Sequence, residues 1–290
     1  MNFLVTGGAG FIGTNLCEYL VKEKHSVISI DNYSAGKETN HLDGVFYIKD
    51  DTKNIFKIAK NNDHFNNLDG VFHLGEYSKI STSFKDYSAV IESNMTGTSK
   101  IIDFCLSKKI KLVYAASSTK FAEEGITHSP YSFTKSQNVQ LIKATSKWFD
   151  LKHAICYFYN NYGPRHDTCN NGYETVISIF EKQKLANKKL TIVKPGTQER
   201  NYTHVSDTVS GIYKSFFYRE NEEFQLSADE SYSLFDLAEL LEQEYTLIDG
   251  RPGDRMKGVS PSLKIEIEKT KNKLNWKTNY TLKEWIKRNE

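Results

Sequence analysis

The chain has 290 residues, and 38 Lys and Arg against 36 Asp and Glu leave a formal charge of +2 with no basic block. That balance argues against a nucleic-acid partner, which needs Lys and Arg clustered on one face, and no apolar run approaches the roughly 18 residues of a membrane helix. Cys17, Cys105, Cys156 and Cys169 show neither CxxC pairing nor metal-ligand spacing, so the sequence predicts a reduced, cytoplasmic protein without a metal site.

In chain order, Asn2-Phe3-Leu4-Val5-Thr6 reads as a buried strand entering Gly7-Gly8-Ala9-Gly10-Phe11-Ile12-Gly13, where a helix opens and runs from Phe11 to about Glu23. The chain starts on a strand and not on a charged and apolar leader, so no signal peptide is expected. Gly7 permits the tight turn, Gly10 lets backbone approach an anionic diphosphate, and Gly13 lets helix and strand pack closely. The unpaired N–H groups around Phe11, Ile12 and Gly13, together with the positive end of the helix dipole, favour such an anion. A second strand, Ser26–Ile30, ends in Asp31 beside Asn32. The Asp31 carboxylate suits a ribose hydroxyl pair and repels a 2′-phosphate, which favours NAD over NADP. Asp51, after the third strand, suits either an adenine contact or a solvated loop.

Further strands at Val45–Ile48, Gly70–His73, Lys111–Ala115 and His153–Phe158 alternate with helical stretches near Asn54–Asn62, Phe84–Leu106 and Tyr131–Trp148. Strand–helix alternation predicts an α/β fold with a doubly wound parallel sheet of Rossmann type and a ligand at the carboxyl ends of its strands. After about Tyr162 the pattern loosens into a helix (Tyr173–Ala186), a strand (Leu190–Val193) and a helix (Ser206–Tyr218) returning to the first domain. Short helices follow around Leu234–Glu242, Glu266–Lys273 and Thr281–Arg288. The expected organisation is a dinucleotide domain over 1–165, with a returning segment at about 202–226. A smaller α/β substrate lobe is expected from 166–201 and 227–290.

Tyr131-Ser132-Phe133-Thr134-Lys135 puts a phenol and an ammonium on one helix face. A nearby cation eases loss of a phenol proton, which makes a base that can take a hydroxyl proton while hydride leaves the same carbon. Ser117, just after the strand Lys111–Ala115, can hold the substrate oxygen beside Tyr131.

At these residues the chain resembles the extended short-chain dehydrogenase/reductase family, in its NAD-dependent epimerase/dehydratase group acting on nucleotide sugars. The resemblance covers nearly the whole chain. It rests on Thr6–Gly13, Asp31-Asn32, Val71–Leu74, Asn94–Thr98, Val113–Ser118, Tyr131–Lys135, Asn160–Arg165, Gln198–Asp207, Arg251–Asp254 and Leu274–Trp276. It implies a resident NAD, a catalytic set of Ser117, Tyr131 and Lys135, and a further hold of Lys135 on the nicotinamide ribose. It also implies that Asn94 helps place the active site and cofactor, that Asn160 contacts the sugar diphosphate, that Arg200 and Arg251 grip that diphosphate, and that Asp254 binds the nucleotide ribose. Two guanidiniums converging on a diphosphate make charge-assisted, bidentate contacts.

The departures from the group's pattern narrow the reaction. Ser117 and Tyr131 lie only fourteen residues apart, shorter than usual, which predicts a more open pocket. Nucleotide-sugar dehydratases carry acidic residues directly after the catalytic serine, and this chain has Ser118 and Thr119. The Glu that uronate decarboxylases commonly keep is also missing. The expected activity is therefore 4-epimerisation of a nucleotide sugar, a UDP-hexose or its N-acetyl form, with dehydratase, decarboxylase, reductase and a non-catalytic NAD-binding scaffold as alternatives. Gly258 falls where a residue limits the sugar 2-substituent, and a glycine there leaves room for an N-acetyl group. Glu76 and Lys79 stand where small or neutral residues are usual, either touching substrate or pairing with each other. The helices Phe84–Leu106 and Tyr131–Trp148 are apolar on more than one face (Val90, Ile101, Ile102, Phe104; Val139, Leu141, Ile142, Trp148). The family forms a homodimer through a four-helix bundle of such helices; burial within one chain is the competing expectation.

Overall fold

A computed structural model describes residues 1–122, 125–167, 174–258 and 262–288. Cys169 and Tyr173 fall outside those residues. The first half runs β1 (Asn2–Thr6), α1 (Phe11–Lys22), β2 (Ser26–Asp31), β3 (Val45–Lys49), α2 (Ile55–Lys60), β4 (Gly70–His73), α3 (Tyr87–Val90), α4 (Thr98–Lys108), β5 (Lys111–Ser117), α5 (Pro130–Phe149) and β6 (His153–Phe158). Then come β7 (Asn161–Tyr162), α6 (Val176–Leu185), β8 (Leu190–Val193), β9 (Arg200–Asn201), β10 (Thr203–His204), α7 (Val205–Phe217), β11 (Glu222–Leu226), β12 (Ser231–Tyr232), α8 (Leu234–Leu240), β13 (Tyr245–Ile248), α9 (Leu263–Leu274) and α10 (Leu282–Arg288).

Seven strands form one parallel sheet in the order β11-β6-β5-β4-β1-β2-β3. The order reverses after β3, so the carboxyl ends of β1 and β4 flank a switch point, where ligands bind in such sheets. Side chains alternate between two apolar layers, as a pleated strand requires. Leu4, Leu112, Tyr114 and Ile155 face a core shared with α4 and α5. Phe3, Val5, Val113, Ala154 and Cys156 face one shared with α1 and α7. A third core, holding Tyr162, Ile177, Phe180, Leu190, Ile192, Leu237 and Ile286, supports a separate lobe. There β8 pairs with β13 and β9 with β12.

The structure departs from the sequence reading in four places. The stretch expected as one helix from Phe84 is α3 and α4 joined by a π-helical segment, Ile91–Gly97. Ser117 is the last residue of β5 and does not follow it. A seventh strand, β11, pairs with β6 from Glu222↔Ala154 to Leu226↔Phe158. The tail expected wholly in the lobe is divided. Leu263 and Ile267 of α9 join the α4–α5 layer, and Leu274 and Trp276 join the α1–α7 layer. The Trp276 indole N–H donates to the Asp207 carbonyl (2.9 Å), which fastens this tail to α7.

Candidate functional site

A cleft of about 370 Å³ lies at the carboxyl ends of the sheet and is lined by the glycine loop, the ends of β2, β3, β5 and β6, and the start of α5. Gly7, Gly10, Phe11, Ile12, Gly13, Asp31, Asn32, Asp51, Ser117, Tyr131, Lys135 and Asn160 all line it. Gly7 sits at φ +74°, and a Cβ on Gly13 would lie 1.9 Å from the Gly7 carbonyl oxygen, so only glycine lets α1 meet the loop this closely. No side chain caps α1 and no acid lies in its first turn. Its N-terminus therefore faces the cleft as a cradle of backbone and dipole suited to a diphosphate.

At the end of β2, Asp31 is buried and held by two backbone donors. Ala9 N–H donates to Oδ2 (2.9 Å) and Tyr33 N–H to Oδ1 (2.7 Å). Burial raises its pKa, and those two bonds oppose the rise. Asn32 donates from Nδ2 to Asp51 Oδ1 (2.7 Å), joining the two loop residues at this end.

At the other end Ser117, Tyr131 and Lys135 come together. The Ser117 hydroxyl oxygen accepts from Thr119 N–H (3.3 Å) and Thr119 Oγ1 (3.0 Å). Lys135 is almost wholly buried; its ammonium donates to the Ala115 carbonyl (2.6 Å) and to Glu76 Oε2. Glu76 thus takes a place that the sequence left open, and its partner is Lys135. Lys79 instead donates to the Glu174 carbonyl (3.2 Å). The other carboxylate oxygen of Glu76 accepts from Thr98 Oγ1 (2.8 Å), Asn138 Nδ2 (2.8 Å) and Tyr114 OH (3.1 Å). Behind it, His73 bridges Thr6 Oγ1 (2.7 Å) and Thr98 Oγ1 (2.9 Å), and burial pushes its pKa down to about 4, leaving it neutral.

Asn94 was expected among the cofactor contacts, but it is fully buried and lies behind the cleft. Its Oδ1 accepts from Tyr77 N–H (2.7 Å), and its Nδ2 donates to Thr134 Oγ1 (3.1 Å) and the Tyr77 carbonyl (3.2 Å). The π-helical segment that carries it ties α5 to the β4 loop, so Asn94 positions the wall without lining it.

A second cavity of about 210 Å³ adjoins the first and is lined by Tyr159, Asn160, Arg200, Arg255, Lys257 and Gly258 among others. Asn160 adopts φ +34° and donates from Nδ2 to the Asn201 carbonyl (2.9 Å), joining sheet and lobe. The Arg200 guanidinium donates to the carbonyls of Glu199 (2.7 Å) and Arg255 (2.6 Å). Arg251 and Asp254, expected on a diphosphate and a ribose, line neither cavity. They face each other at the surface, where Arg251 N–H donates to Asp254 Oδ2 (2.7 Å). Arg255, one residue past that turn, lines both cavities. Among the described residues, a Cβ added at Gly258 would meet nothing within 4 Å.

A family model described as the NAD dependent epimerase/dehydratase family matches residues 3–224. Over 98% of its length the chain is 26% identical to a putative UDP-glucose 4-epimerase of Methanocaldococcus jannaschii, covering 96% of that protein. Over 83% of its length it is 31% identical to a UDP-N-acetyl-alpha-D-glucosaminuronate decarboxylase of Bacillus cytotoxicus, covering 79% of that protein. Its fold matches that of the UDP-glucose 4-epimerase of Thermotoga maritima, solved with UDP-glucose, with a TM-score of 0.89 at 24% identity over 99% of this chain and 96% of that one.

Proposed function

This chain belongs to the NAD dependent epimerase/dehydratase family, and we propose that within it the protein inverts C4 of a nucleotide sugar, most simply a UDP-hexose. The family is NAD-dependent, and the glycine cradle, the uncapped α1 and Asp31 fit that dinucleotide. NAD, when bound, supplies a hydride acceptor that later gives the hydride back. The Tyr131 oxygen takes the proton of the C4 hydroxyl as the C4–H bond gives up its hydride. Ser117 donates to the same sugar oxygen, and Lys135 holds its charge beside the phenol. After the 4-keto sugar turns over, Tyr131 returns the proton to the oxygen as C4 regains hydride on its other face, so no atom is lost or gained.

The observation that carries epimerisation is the surroundings of Ser117. Ser118 and Thr119 follow it, and the carboxylate beside Lys135 is engaged by four protein donors. Among the described residues the catalytic end therefore offers no idle acid for removing water. The 31% identity to a decarboxylase favours uronate decarboxylation as the second reading. A panel of UDP-glucose, UDP-galactose, their N-acetyl forms and the uronates, read by product NMR, decides between them. Inversion at C4 with the carbon count kept supports the proposal; carbon dioxide release or a 6-deoxy product refutes it. The open space at Gly258 supports acceptance of an N-acetyl sugar, and Gly258→Tyr should lower the ratio of N-acetyl to hydroxyl turnover.

A homodimer fits the surface. Most of the apolar residues expected at the bundle are buried within the chain, Val90, Ile101, Phe104, Val139 and Ile142 among them. Phe84, Tyr87, Phe133 and Trp148 remain exposed near or on α3 and α5, which pack on each other. Light scattering of the purified protein tests the dimer. No helix among the described residues is long and apolar enough to cross a membrane. A cytoplasmic setting is supported by the free, buried thiols of Cys17, Cys105 and Cys156.

A further inference from the structure

Glu76 is a buried acid at the catalytic end whose chemistry the proposed reaction does not use. Its side chain has no exposed surface, so its charge has been taken wholly out of water, and an unpaired carboxylate there would be strongly disfavoured. The surrounding hydrogen bonds show that it is held as an anion. Asn138 Nδ2 is a donor only. The Thr98 hydroxyl has a single proton, and the hydrogens along its chain can be assigned. Thr6 Oγ1 already accepts the amides of Leu74 (3.1 Å) and Gly75 (2.9 Å), so its proton goes to His73 Nδ1. His73 then donates from Nε2 to Thr98 Oγ1, and Thr98 donates to Glu76. Tyr114 donates as well. Every neighbour gives a proton and none accepts one, which is the arrangement a carboxylate requires.

We propose that Glu76 is a positioning residue of the redox site. Its carboxylate anchors Lys135 and cancels the ammonium charge, so that the catalytic end of the cleft tolerates the cationic, oxidised nicotinamide ring and does not favour the neutral, reduced one. The charged and titratable groups that meet there are Glu76 from the β4 loop, Lys135 and Tyr131 from α5, Tyr114 from β5 and His73 from β4. With His73 neutral and Tyr114 protonated, the charges of Glu76 and Lys135 cancel, and the net charge of the cluster follows the proton that Tyr131 takes and returns. An ammonium has three donors; Glu76 and Ala115 engage two of them, and Lys135 lines the cleft, where a ligand can take the third. Without Glu76 the site would be more positive by one charge beside the ring, and a low-dielectric wall would amplify that repulsion. A cofactor that must end every turnover oxidised gains from this bias.

The inference rests on the NAD reading and not on the identity of the sugar. The test equilibrates wild-type and Glu76→Gln holoprotein with NAD+/NADH mixtures of set ratio, removes unbound cofactor by filtration and measures both bound forms by chromatography. Glu76→Gln should lower the bound oxidised-to-reduced ratio by about tenfold or more, as expected for a shift of one pKa unit or more between charge states. A loss of both forms in proportion, with the ratio within twofold of wild type, would mean that Glu76 only supports the fold and would overturn the proposal. If Glu76→Gln does not fold, the double variant Glu76→Gln, Lys135→Met removes both charges and keeps the net charge of the wild-type cluster. Its ratio should stay within threefold of wild type, and a tenfold move in either direction overturns charge cancellation. Retention of neither form by the wild type would refute the NAD reading itself, whatever the sugar.

Discussion

Gly13→Ala tests the cradle most directly. The added methyl would sit 1.9 Å from the Gly7 carbonyl oxygen and 2.7 Å from its carbon, where about 3.3 Å is the closest comfortable C···O approach. Relief requires a movement of roughly 1.4 Å, and both atoms struck are backbone, so no rotamer change provides it. The helix cannot simply slide away, because Leu16, Cys17 and Leu20 on its inner face are fully buried against the sheet. Overpacking of this kind costs about 1–3 kcal/mol. A displaced α1 also moves its N–H groups off the diphosphate, and hydrogen bonds to a charged group are worth about 1.5–3 kcal/mol each. NAD affinity by titration calorimetry should fall by about 10–150-fold, and the melting temperature should drop by several degrees. Gly258→Ala, whose methyl meets nothing within 4 Å, should leave both unchanged. NAD affinity within twofold of wild type in Gly13→Ala, at an unchanged melting temperature, would show that the close approach of α1 to the loop is not what shapes the site.

Tyr131→Phe should reduce turnover by roughly 10²–10⁴-fold while the cofactor stays bound, as read by chromatography of the denatured holoprotein; retained turnover would remove Tyr131 as the base. Arg255→Gln should weaken binding of a nucleoside diphosphate by about 10–150-fold, and Arg251→Gln by less than about threefold, since only Arg255 lines the cavities. The reverse order by calorimetry would restore Arg251 to the diphosphate. Glu223 offers a pH test away from the cleft. Burial raises its pKa, but bonds from Lys143, Tyr157 and Lys120 outweigh that and bring it from 4.5 to about 2. A depressed carboxyl stabilises the fold above its unfolded value and loses that contribution as pH falls from about 5 towards 2. The full linkage of about 3.4 kcal/mol, halved for the partial exposure of the pair, leaves about 1–2 kcal/mol. Urea unfolding should find Glu223→Gln less stable by that amount at pH 7, with the gap narrowed to about half at pH 3 and closing only as pH falls below about 2. A constant gap would show that the carboxylate's charge contributes nothing.

The parts of the fold that were legible in the sequence are those where burial writes itself into composition. β1, β4, β5 and β6 are covered on both faces, so their runs are continuously apolar, and their ends were placed to within two residues. β11 was missed because it is an edge strand reading Glu-Glu-Phe-Gln-Leu, and its Glu222 and Glu223 pair with Lys273, Lys120 and Lys143. A charged edge is how sheets avoid further pairing, and it erases the hydrophobic signal. β13 (Tyr-Thr-Leu-Ile) was missed as well, though no charge hides it: it is only four residues long and exposed along its whole length. The π-helical segment has no compositional mark. A Cβ on Gly97 would lie 2.3 Å from Thr52 Oγ1, so this glycine lets the segment close onto the loop after β3, a contact between residues distant in sequence.

The same contrast divides the two ends of the site, and the physical cause is the way each end meets an anion. At the cofactor end the receptor is backbone: a helix terminus, a turn at positive φ and a close approach that excludes a Cβ. Only glycine at set spacing provides these, so Gly7, Gly10 and Gly13 announce themselves in the chain. At the proposed substrate end the candidate receptors are guanidiniums on long side chains from a loop. The loop's own turn engages some of these groups: Asp254 accepts the Arg251 backbone N–H and lies 3.7 Å from its guanidinium, and Arg200 spends donors on the carbonyls of Glu199 and Arg255. A motif of Arg, Pro, Gly and Asp therefore marks the turn without saying which cation reaches the cavity; the reading named Arg251, and Arg255 is the arginine of this turn that lines both cavities. Glu76 is the intermediate case. An acid directly after His73-Leu74-Gly75 stood out because small or neutral residues are usual there, and a buried acid implies a buried cation. Lys79 was the nearer cation in sequence, but Lys135 was the one with its ammonium inside. Burial of the cation, and not its separation along the chain, identifies the partner, because an exposed lysine is already compensated by water and has the least to gain from meeting a desolvated carboxylate.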